Sequence, residues 1–207
     1  MIQPADHALL LVVSGPSGSG KSTLCGRLLA EFPRVTYSVS CTTRSPRGDE
    51  VDGVNYHFLE EEAFRRRVDE GAFLEWAEVH GSLYGTLKSS VREALEQGKD
   101  ILMDIDVQGA GQVREQVGAA PAGDPLRDAL VDVFIAPPSM EVLEQRLRGR
   151  GEDAPEVIER RLEKARDEMA GWCAYRYLVL NDDRDRAYDS LRSVVVAEHL
   201  RVEREGR

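Results

Sequence analysis

The pattern of apolar and polar positions predicts strands that alternate with helices along most of the chain. The apolar run at residues 9–13, and the apolar-rich stretches at residues 101–105 and 131–135 that each contain one aspartate, are typical of strands that are buried on both faces of a parallel sheet. Apolar residues at helical spacing indicate the helices between them. The predicted strands are residues 9–14, 35–40, 54–58, 72–79, 101–105, 131–135 and 177–180, and the predicted helices are residues 21–31, 59–70, 90–97, 109–116, 140–148, 155–169 and 186–203.

Local signals indicate where several of these elements begin and end. Ser90 and Glu93 have the spacing of an N-terminal capping box, and Ser139 is a favourable N-cap for the helix that follows it. Residues 118–128 are rich in Gly, Pro and Ala, so they are predicted to form an exposed loop. Residues 41–85 carry mainly strand signals. The prediction is therefore an α/β fold, with a parallel sheet flanked by helices and one inserted, strand-rich lobe.

Composition narrows the class of protein. The 207 residues are 42% hydrophobic and 31% charged, which is typical of one globular domain rather than of a disordered chain. The formal charge of −10 argues against a nucleic-acid-binding surface. The three cysteines are widely spaced, and the N-terminus has neither a basic signal region nor an apolar span. Both observations favour a cytoplasmic protein that is not attached to a membrane.

A phosphate-binding motif follows the first predicted strand. Residues 15–23, Gly-Pro-Ser-Gly-Ser-Gly-Lys-Ser-Thr, fit the P-loop pattern G-x-x-x-x-G-K-[ST]. Gly18 and Gly20 lack side chains where the backbone must curl around phosphate oxygens, and the next helix adds its positive N-terminus. Lys21 is expected to reach the β- and γ-phosphates, and Ser22 to offer its hydroxyl to Mg²⁺. The motif predicts that the protein binds a nucleoside triphosphate.

Carboxylates in two predicted strands are candidates for chemistry. Asp104 ends an apolar run, where a P-loop enzyme needs a carboxylate on the Mg²⁺ side. A solvated strand end is the alternative interpretation, and it has more weight for Asp106. Glu75 lies in the apolar stretch 73–76, where burial without a partner would be costly. A structural arginine would satisfy Glu75 as well as a ligand would, so the residue alone leaves its role open.

Two groups of arginines are candidates for phosphate contacts. Arg44 and Arg47 lie in a loop without apolar periodicity, and two clustered guanidinium groups suit a second phosphate. Arg146, Arg150 and Arg161 flank a Gly-Arg-Gly break between two predicted helices, which suits a lid that brings positive charge to a transferring phosphoryl group. For both groups a solvated surface is the alternative.

Taken together, these stretches resemble the guanylate kinases over residues 9 to about 200. Two of them are highly specific, Thr-Thr-Arg-Ser-Pro-Arg at residues 42–47 and Asp-Ile-Asp-Val-Gln-Gly at residues 104–109. The others are the P-loop, Gly-Val-Asn-Tyr at 53–56, Phe-Leu-Glu-Trp-Ala at 73–77, Tyr-Gly-Thr at 84–86, Ile-Ala-Pro-Pro-Ser at 135–139 and Asn-Asp-Asp at 181–183. Two differences are the loop at 118–128, which looks longer than is usual, and Cys41, where the family often has Ser.

The resemblance implies an enzyme that uses ATP and Mg²⁺ to phosphorylate GMP, and dGMP as well, to the diphosphate. It implies a P-loop NTPase-type parallel sheet and a mobile helical lid. The implied domain is residues 8–205, with a core of residues 8–40, 87–145 and 162–205, a GMP-binding lobe of residues 41–86 and a lid of residues 146–161.

Residue roles follow from the same resemblance. ATP would contact Gly15, Pro16, Ser17, Gly18, Ser19, Gly20, Lys21, Ser22, Thr23 and Asn181. GMP would contact Ser40, Arg44, Arg47, Tyr56, Glu75, Tyr84, Thr86 and Asp106. The catalytic residues would be Lys21, Arg44, Arg146, Arg150 and Arg161. Ser22 and Asp104 would hold Mg²⁺ directly or through water.

Two other functions fit parts of the pattern. Guanylate-kinase-like domains of scaffold proteins resemble these enzymes but bind peptides in the GMP lobe. Those domains characteristically have degraded P-loops, whereas Lys21 and Ser22 are intact here. The second alternative is a P-loop kinase for another small phosphorylated acceptor, although Glu75 and Thr86 favour guanine. The sequence leaves open whether the chain is a monomer or a homodimer.

Overall fold

The structure is a computed structural model, and it describes residues 7–149 and 154–202. Its strands are β1 (Leu10–Ser14), β2 (Val35–Tyr37), β3 (Cys41–Thr42), β4 (His57–Phe58), β5 (Phe73–Val79), β6 (Ser82–Leu87), β7 (Asp100–Asp104), β8 (Leu130–Ala136) and β9 (Tyr177–Leu180). Its helices are α1 (Lys21–Glu31), α2 (Glu61–Asp69), α3 (Lys88–Glu96), α4 (Val107–Gly118), α5 (Pro125–Ala129), α6 (Met140–Arg148), α7 (Pro155–Ala170) and α8 (Arg184–His199), with a 3-10 helix at Trp172–Ala174.

The main sheet has five parallel strands in the order β2-β7-β1-β8-β9. Every residue of β1 and β8 is buried, Asp132 included, which confirms the strands that the apolar-rich stretches predicted. Val13 in β1 pairs with Asp104 in β7, so the end of the strand before the P-loop lies beside this carboxylate. The carboxyl ends of parallel strands share one edge of the sheet, where ligands of open α/β folds bind.

Helices cover both faces of this sheet, as the predicted alternation requires. Leu28 of α1 and Leu191 of α8 belong to the apolar cluster on one face. Val113 of α4 belongs to the cluster on the other face, together with residues of α3 and α5. α6 and α7 pack against each other through a smaller cluster that includes Leu147 and Ile158. The edge of the main sheet that carries the P-loop therefore lies between the two layers of helices.

The inserted lobe contains a second sheet, with the order β4-β3-β6-β5. β3 and β4 run parallel, whereas β6 pairs antiparallel with both β3 and β5. α2 packs on this sheet through Phe64, whose ring stacks on that of Phe73 with centroids 4.4 Å apart. This is the strand-rich insertion that the sequence predicts, although neither β3 nor β6 was among the predicted strands.

Several predicted ends of elements differ from the structure. β2 ends at Tyr37 rather than at residue 40, and α8 spans Arg184–His199 rather than residues 186–203. α3 begins at Lys88, so Ser90 lies inside the helix and does not form the predicted capping box with Glu93. The predicted strand at residues 54–58 shortens to β4, because the backbone turns where the N–H groups of residues 54 and 55 donate to the carbonyl oxygen of Val51.

Residues 118–128 are not simply an exposed loop. Asp124 caps α5 by accepting a hydrogen bond from the backbone N–H of Leu126 at 3.0 Å. Leu126 and Ala129 are buried in the cluster beneath α3 and α4. The sequence did not indicate this helix, because five residues with two buried side chains show no recognisable period. The Gly, Pro and Ala content of the segment is typical of a loop.

At the opposite edge of the main sheet, Asp100 joins segments from both ends of the described chain. Its side chain is 1% exposed. Its Oδ1 accepts a hydrogen bond from the Leu9 backbone N–H at 2.9 Å, and its Oδ2 lies 3.1 Å from Arg34 Nε and 3.0 Å from His199 Nε2. Since burying an unpaired carboxylate is costly, these contacts hold the start of the sheet against the end of α8.

Candidate active site

The P-loop passes from β1 into α1 through backbone conformations that favour glycine. The φ angles of Gly15, Gly18 and Gly20 are +139°, +87° and +95°. A Cβ atom at Gly15 would lie 2.3 Å from the carbonyl oxygen of Ile135, and one at Gly20 would lie 2.3 Å from Asn181 Nδ2. At Gly15 and Gly20, therefore, both conformation and space exclude a side chain, which is the physical content of the glycines in the motif.

Lys21 lies over the loop that it follows. Its Nζ donates hydrogen bonds to the carbonyl oxygens of Gly15, at 2.7 Å, and Pro16, at 3.2 Å. Burial lowers the pKa of Lys21, and the negative charges of Asp104 and Glu168 oppose this shift. An ammonium group has three N–H donors, so one remains for a phosphate oxygen while the two carbonyl contacts persist.

Ser22 and Asp104 are brought into direct contact. Ser22 Oγ donates to Asp104 Oδ2 at 2.9 Å, although the residues are 82 positions apart in the chain. Hydroxyl and carboxylate oxygens suit Mg²⁺, which usually keeps several waters and takes phosphate oxygens as further ligands. Within residues 7–149 and 154–202, no group of three or more His, Cys, Asp or Glu side chains is placed to hold a metal ion by itself. The pair therefore fits Mg²⁺ that arrives with a nucleotide.

A cavity of about 640 Å³ opens beside the P-loop, and Thr23 and residues 182–185 line part of it. Asn181, whose side chain donates from Nδ2 to the carbonyl oxygen of Ser19 at 2.7 Å, lies at the base of this cavity. Arg146 lines it too, and its Nη2 donates to the carbonyl oxygen of Asn181 at 2.8 Å. The structure thus places Asn181 and Arg146 beside the P-loop, whereas the resemblance assigned Asn181 to ATP and Arg146 to the lid.

The other lid arginines are less informative. Arg161 is half-buried on α7. Arg150 lies outside the described residues, as do the neighbouring residues 151–153. Arg146, the lid arginine on α6, contacts the phosphate-binding loop through the carbonyl oxygen of Ser19.

In the inserted lobe, Arg44 is surrounded by polar and aromatic partners. Its Nη1 and Nη2 donate to the two carboxylate oxygens of Glu50, each at 2.9 Å, and its Nε donates to Tyr84 Oη at 3.3 Å. Its Cζ lies 5.5 Å from the centroid of the Tyr56 ring. Three of the predicted phosphate contacts, Arg44, Tyr56 and Tyr84, thus form one cluster.

Glu50 is a member of this cluster that the sequence analysis did not assign. Besides Arg44, it accepts a hydrogen bond from the backbone N–H of Arg47 at 2.8 Å, whereas the Arg47 side chain is exposed. The hydrogen bonds from Arg44 and Arg47 hold the pKa of Glu50 below its usual range. The sequence signal that could have identified Glu50 is its position, three residues after Arg47.

Glu75 and Thr86 form a second cluster in the lobe. The Glu75 side chain is buried, and Thr86 Oγ1 donates to its Oε1 at 2.8 Å. Ser40 Oγ lies 3.2 Å from Thr86 Oγ1. Because Thr86 gives its one hydroxyl hydrogen to Glu75, Ser40 must donate the second bond. Burial raises the pKa of Glu75, and the hydrogen bond from Thr86 opposes that rise. The partner that Glu75 needs is therefore a threonine rather than an arginine.

Asp106 caps α4 and faces α7. Its Oδ1 accepts a hydrogen bond from the Gly109 backbone N–H at 2.9 Å, and its Oδ2 lies 3.3 Å from Lys164 Nζ. Lys164 also lies 3.4 Å from Glu168. Burial raises the pKa of Glu168, and the positive charge of Lys164 opposes that rise. The sequence analysis did not assign Lys164 or Glu168, because a pair four residues apart on a charged helix has the pattern of an ordinary solvated surface.

The two halves of the site face each other. A cavity of about 570 Å³ extends from Asp104 to Ser40 and Tyr56 in the lobe. Asp104 contacts Ser22 of the P-loop, so this cavity begins beside the loop for a nucleoside triphosphate and reaches the lobe that carries Arg44. This arrangement defines a P-loop kinase whose acceptor is itself a small anionic molecule.

Comparison with known proteins identifies the family. The family model for guanylate kinase matches residues 7–198, and the chain belongs to the guanylate kinase family. It is 48% identical over 198 residues to a guanylate kinase of Symbiobacterium thermophilum, covering 96% of this chain and 89% of that protein. It is 47% identical over 195 residues to one of Maricaulis maris, covering 94% and 85%.

A solved structure gives the same result. The crystal structure of guanylate kinase from Anaplasma phagocytophilum matches with a TM-score of 0.66 and 32% identity, over 95% of this chain and 88% of that one. In the part of the chain that the structure describes, no helix combines the length and the apolar character needed to cross a membrane.

Proposed function

We propose that the protein transfers the γ-phosphoryl group of ATP to the phosphate of GMP, which yields ADP and GDP. The observation that carries this proposal is the buried Glu75–Thr86 pair in a lobe whose cavity extends to Asp104, the partner of Ser22 in a complete P-loop. We extend the proposal to dGMP, because the lobe residues that we assign address the phosphate and the base rather than the ribose.

Base recognition follows from hydrogen-bond donors and acceptors. Guanine presents N1–H and a 2-amino group on one edge, and an ionised Glu75 can only accept hydrogen bonds. For Thr86 to donate to guanine O6, its hydroxyl must rotate away from Glu75 Oε1, which frees that oxygen for the base. Adenine has an unprotonated N1 and no 2-amino group, so Glu75 would face a lone pair. The lobe therefore favours guanine over adenine.

Phosphoryl transfer needs positioning and positive charge rather than a general base. The nucleophile is an oxygen of the GMP phosphate, which is largely ionised at neutral pH. Arg44 has five N–H donors, of which its hydrogen bonds to Glu50, Tyr84 and Ser45 use four, so one N–H remains for that phosphate. Lys21 and Arg146 would add charge from the ATP side, with Arg150 and Arg161 from a lid of residues 146–161.

Ser22 and Asp104 would hold Mg²⁺, whether directly or through water. When bound, the ion would supply positive charge that offsets the negative charge of the transferring phosphoryl group. Ser22 follows Lys21 directly, so both residues address the same end of the triphosphate. The proposed division of the chain is a core of residues 8–40, 87–145 and 162–205, a GMP-binding lobe of residues 41–86 and the lid.

The test is a coupled assay of ADP release with GMP, dGMP, AMP, CMP and UMP as acceptors, with ATP affinity measured separately. We expect GMP and dGMP to be used and AMP to be rejected by roughly 10⁴-fold in kcat/KM, because it leaves buried polar groups unpaired. Glu75→Gln should lose most GMP activity while it keeps ATP binding.

Other outcomes identify the alternatives. Equal use of another nucleotide would indicate a different acceptor, and the absence of ADP release with every acceptor would favour a binding domain. If Glu75→Gln keeps full activity and discrimination, then Glu75 is a structural carboxylate and the guanine assignment is wrong.

A further inference from the structure

Gln112 on α4 bonds to the backbone of the inserted lobe through its side-chain amide. Its Oε1 accepts from the Trp76 backbone N–H at 3.0 Å, and its Nε2 donates to the Trp76 carbonyl oxygen at 2.9 Å. The opposite orientation of the amide would set donor against donor and acceptor against acceptor, so the hydrogen-bond pattern fixes the assignment.

This contact takes the place of a neighbouring strand. β5 is the outer strand of the lobe sheet, and the backbone groups of an outer strand have an unused side. One side-chain amide satisfies both outward groups of Trp76, as the next strand would. Gln112 therefore links the lobe to the core in addition to the two chain segments, near residues 40 and 87, that enter and leave the lobe.

The linked residue directly follows Glu75. Successive side chains of a strand point to opposite faces, so the position of the Trp76 backbone sets the direction in which Glu75 points. The pairing of β5 with β6 shifts register between Phe73 and Glu75, and such an irregularity loosens the ladder just before Glu75. α4 also approaches Glu75 itself, since a Cβ atom at Gly109 would lie 3.4 Å from Glu75 Oε2.

We infer that Gln112 is a positioning residue for base selection, because it holds Glu75 at a fixed place against α4. This inference rests on the proposed phosphorylation of GMP. It predicts that β5 stays in place against α4 when the site closes. The rest of the lobe would then move relative to β5.

The first test measures the link itself by amide hydrogen exchange in the full chain. Gln112→Met keeps the length of the side chain and removes both hydrogen bonds. Exchange of the Trp76 amide should accelerate roughly 10-fold, since one protected N–H loses its acceptor. Gln116→Met, one turn further along α4, is the matched control and should leave the Trp76 amide unchanged. An unchanged rate at Trp76 in Gln112→Met would overturn the inference.

The second test measures selection. In Gln112→Met, KM for GMP should rise roughly 10-fold and the ratio of kcat/KM for GMP over AMP should fall, while KM for ATP stays at the wild-type value. A merely structural role would lower the melting temperature and leave both acceptor constants unchanged, and that result would overturn the inference. If Gln112→Met does not fold, Gln112→Glu replaces it, because it keeps the acceptor for the Trp76 N–H and loses only the donor.

The two proposals fail in different ways. If the wild-type protein and Gln116→Met do not phosphorylate GMP, the proposed function is wrong and base selection by Gln112 is wrong with it. If both use GMP normally and Gln112→Met does so too with unchanged discrimination, only the role of Gln112 is wrong.

Discussion

Replacement of Gly20 by alanine tests whether the geometry of the P-loop depends on Asn181. Gly20 is the N-cap of α1, with φ +95° and ψ +15°, a region that L-residues rarely adopt. The new Cβ atom would lie 2.3 Å from Asn181 Nδ2, which donates to the carbonyl oxygen of Ser19 in a buried hydrogen bond of 2.7 Å. The methyl group must therefore displace the Asn181 side chain.

The magnitude follows from two costs. A non-glycine residue in this backbone region costs about 1–3 kcal/mol. Loss of the buried hydrogen bond between Asn181 and Ser19 leaves polar groups without partners, at about 1–3 kcal/mol. Gly20→Ala should thus lower the free energy of unfolding by about 2–6 kcal/mol. For a chain of this size 1 kcal/mol shifts Tm by about 2–4 °C, so Tm should fall by at least about 4 °C.

Gly26→Ala is the matched control on the same helix. Gly26 is exposed inside α1, and a Cβ atom there would meet no atom within 4 Å. Alanine is favoured over glycine in a helix interior by about 1 kcal/mol, so this variant should raise Tm slightly. Thermal denaturation followed by circular dichroism gives both shifts, and calorimetric titration with ATP should show weaker binding only for Gly20→Ala. Wild-type Tm and ATP affinity in Gly20→Ala would refute the argument.

Three further predictions concern charged residues of the site. Lys21→Met should fold normally and reduce kcat for GMP phosphorylation by roughly 10²–10³-fold, because one preorganised cation is lost; near-wild-type turnover would contradict its catalytic role. Glu50→Gln should raise KM for GMP and not KM for ATP, since Arg44 loses one of two matched acceptors; a fall in KM would instead show that Glu50 competes with the phosphate. Glu75→Gln should be more stable than the wild type at pH 8 and equal to it below pH 4.5. Burial raises the folded pKa of Glu75, so the unfolded chain loses this proton first and ionisation costs stability as the pH rises. A Tm difference that is the same at both pH values would contradict this sign.

The main sheet could be predicted from the sequence, whereas parts of the lobe could not. Strands such as β1 and β8 are buried on both faces, so nearly all of their residues are apolar and the strands can be recognised in the sequence. β3 and β4 contain two residues each, which is too short for any period to be recognised. α5 was not predicted either, because only Leu126 and Ala129 of its five residues are buried and its composition is that of a loop.

The site shows the same division between local and long-range signals. The P-loop is contiguous, and its chemistry requires particular residue types at fixed spacing, so the motif could be read directly. Gln112 could not be found in this way, because a side chain that bonds to backbone atoms 36 residues away leaves no pattern in the sequence of its partner. The roles assigned to the individual site residues stay predictions until the variants above are measured.

The Asp100 contacts bear on the order in which the protein can fold as it leaves the ribosome. His199 is one of the partners of Asp100, and α8 shares one face of the main sheet with α1, so part of that face stays open to water until almost the whole chain has been synthesised. Such half-covered sheets are prone to aggregate and depend on chaperones. The P-loop is made among the first segments, yet Ser19 must await Asn181, 162 residues later, before the loop has its final hydrogen bonds. The earliest functional segment is therefore among the last to be completed.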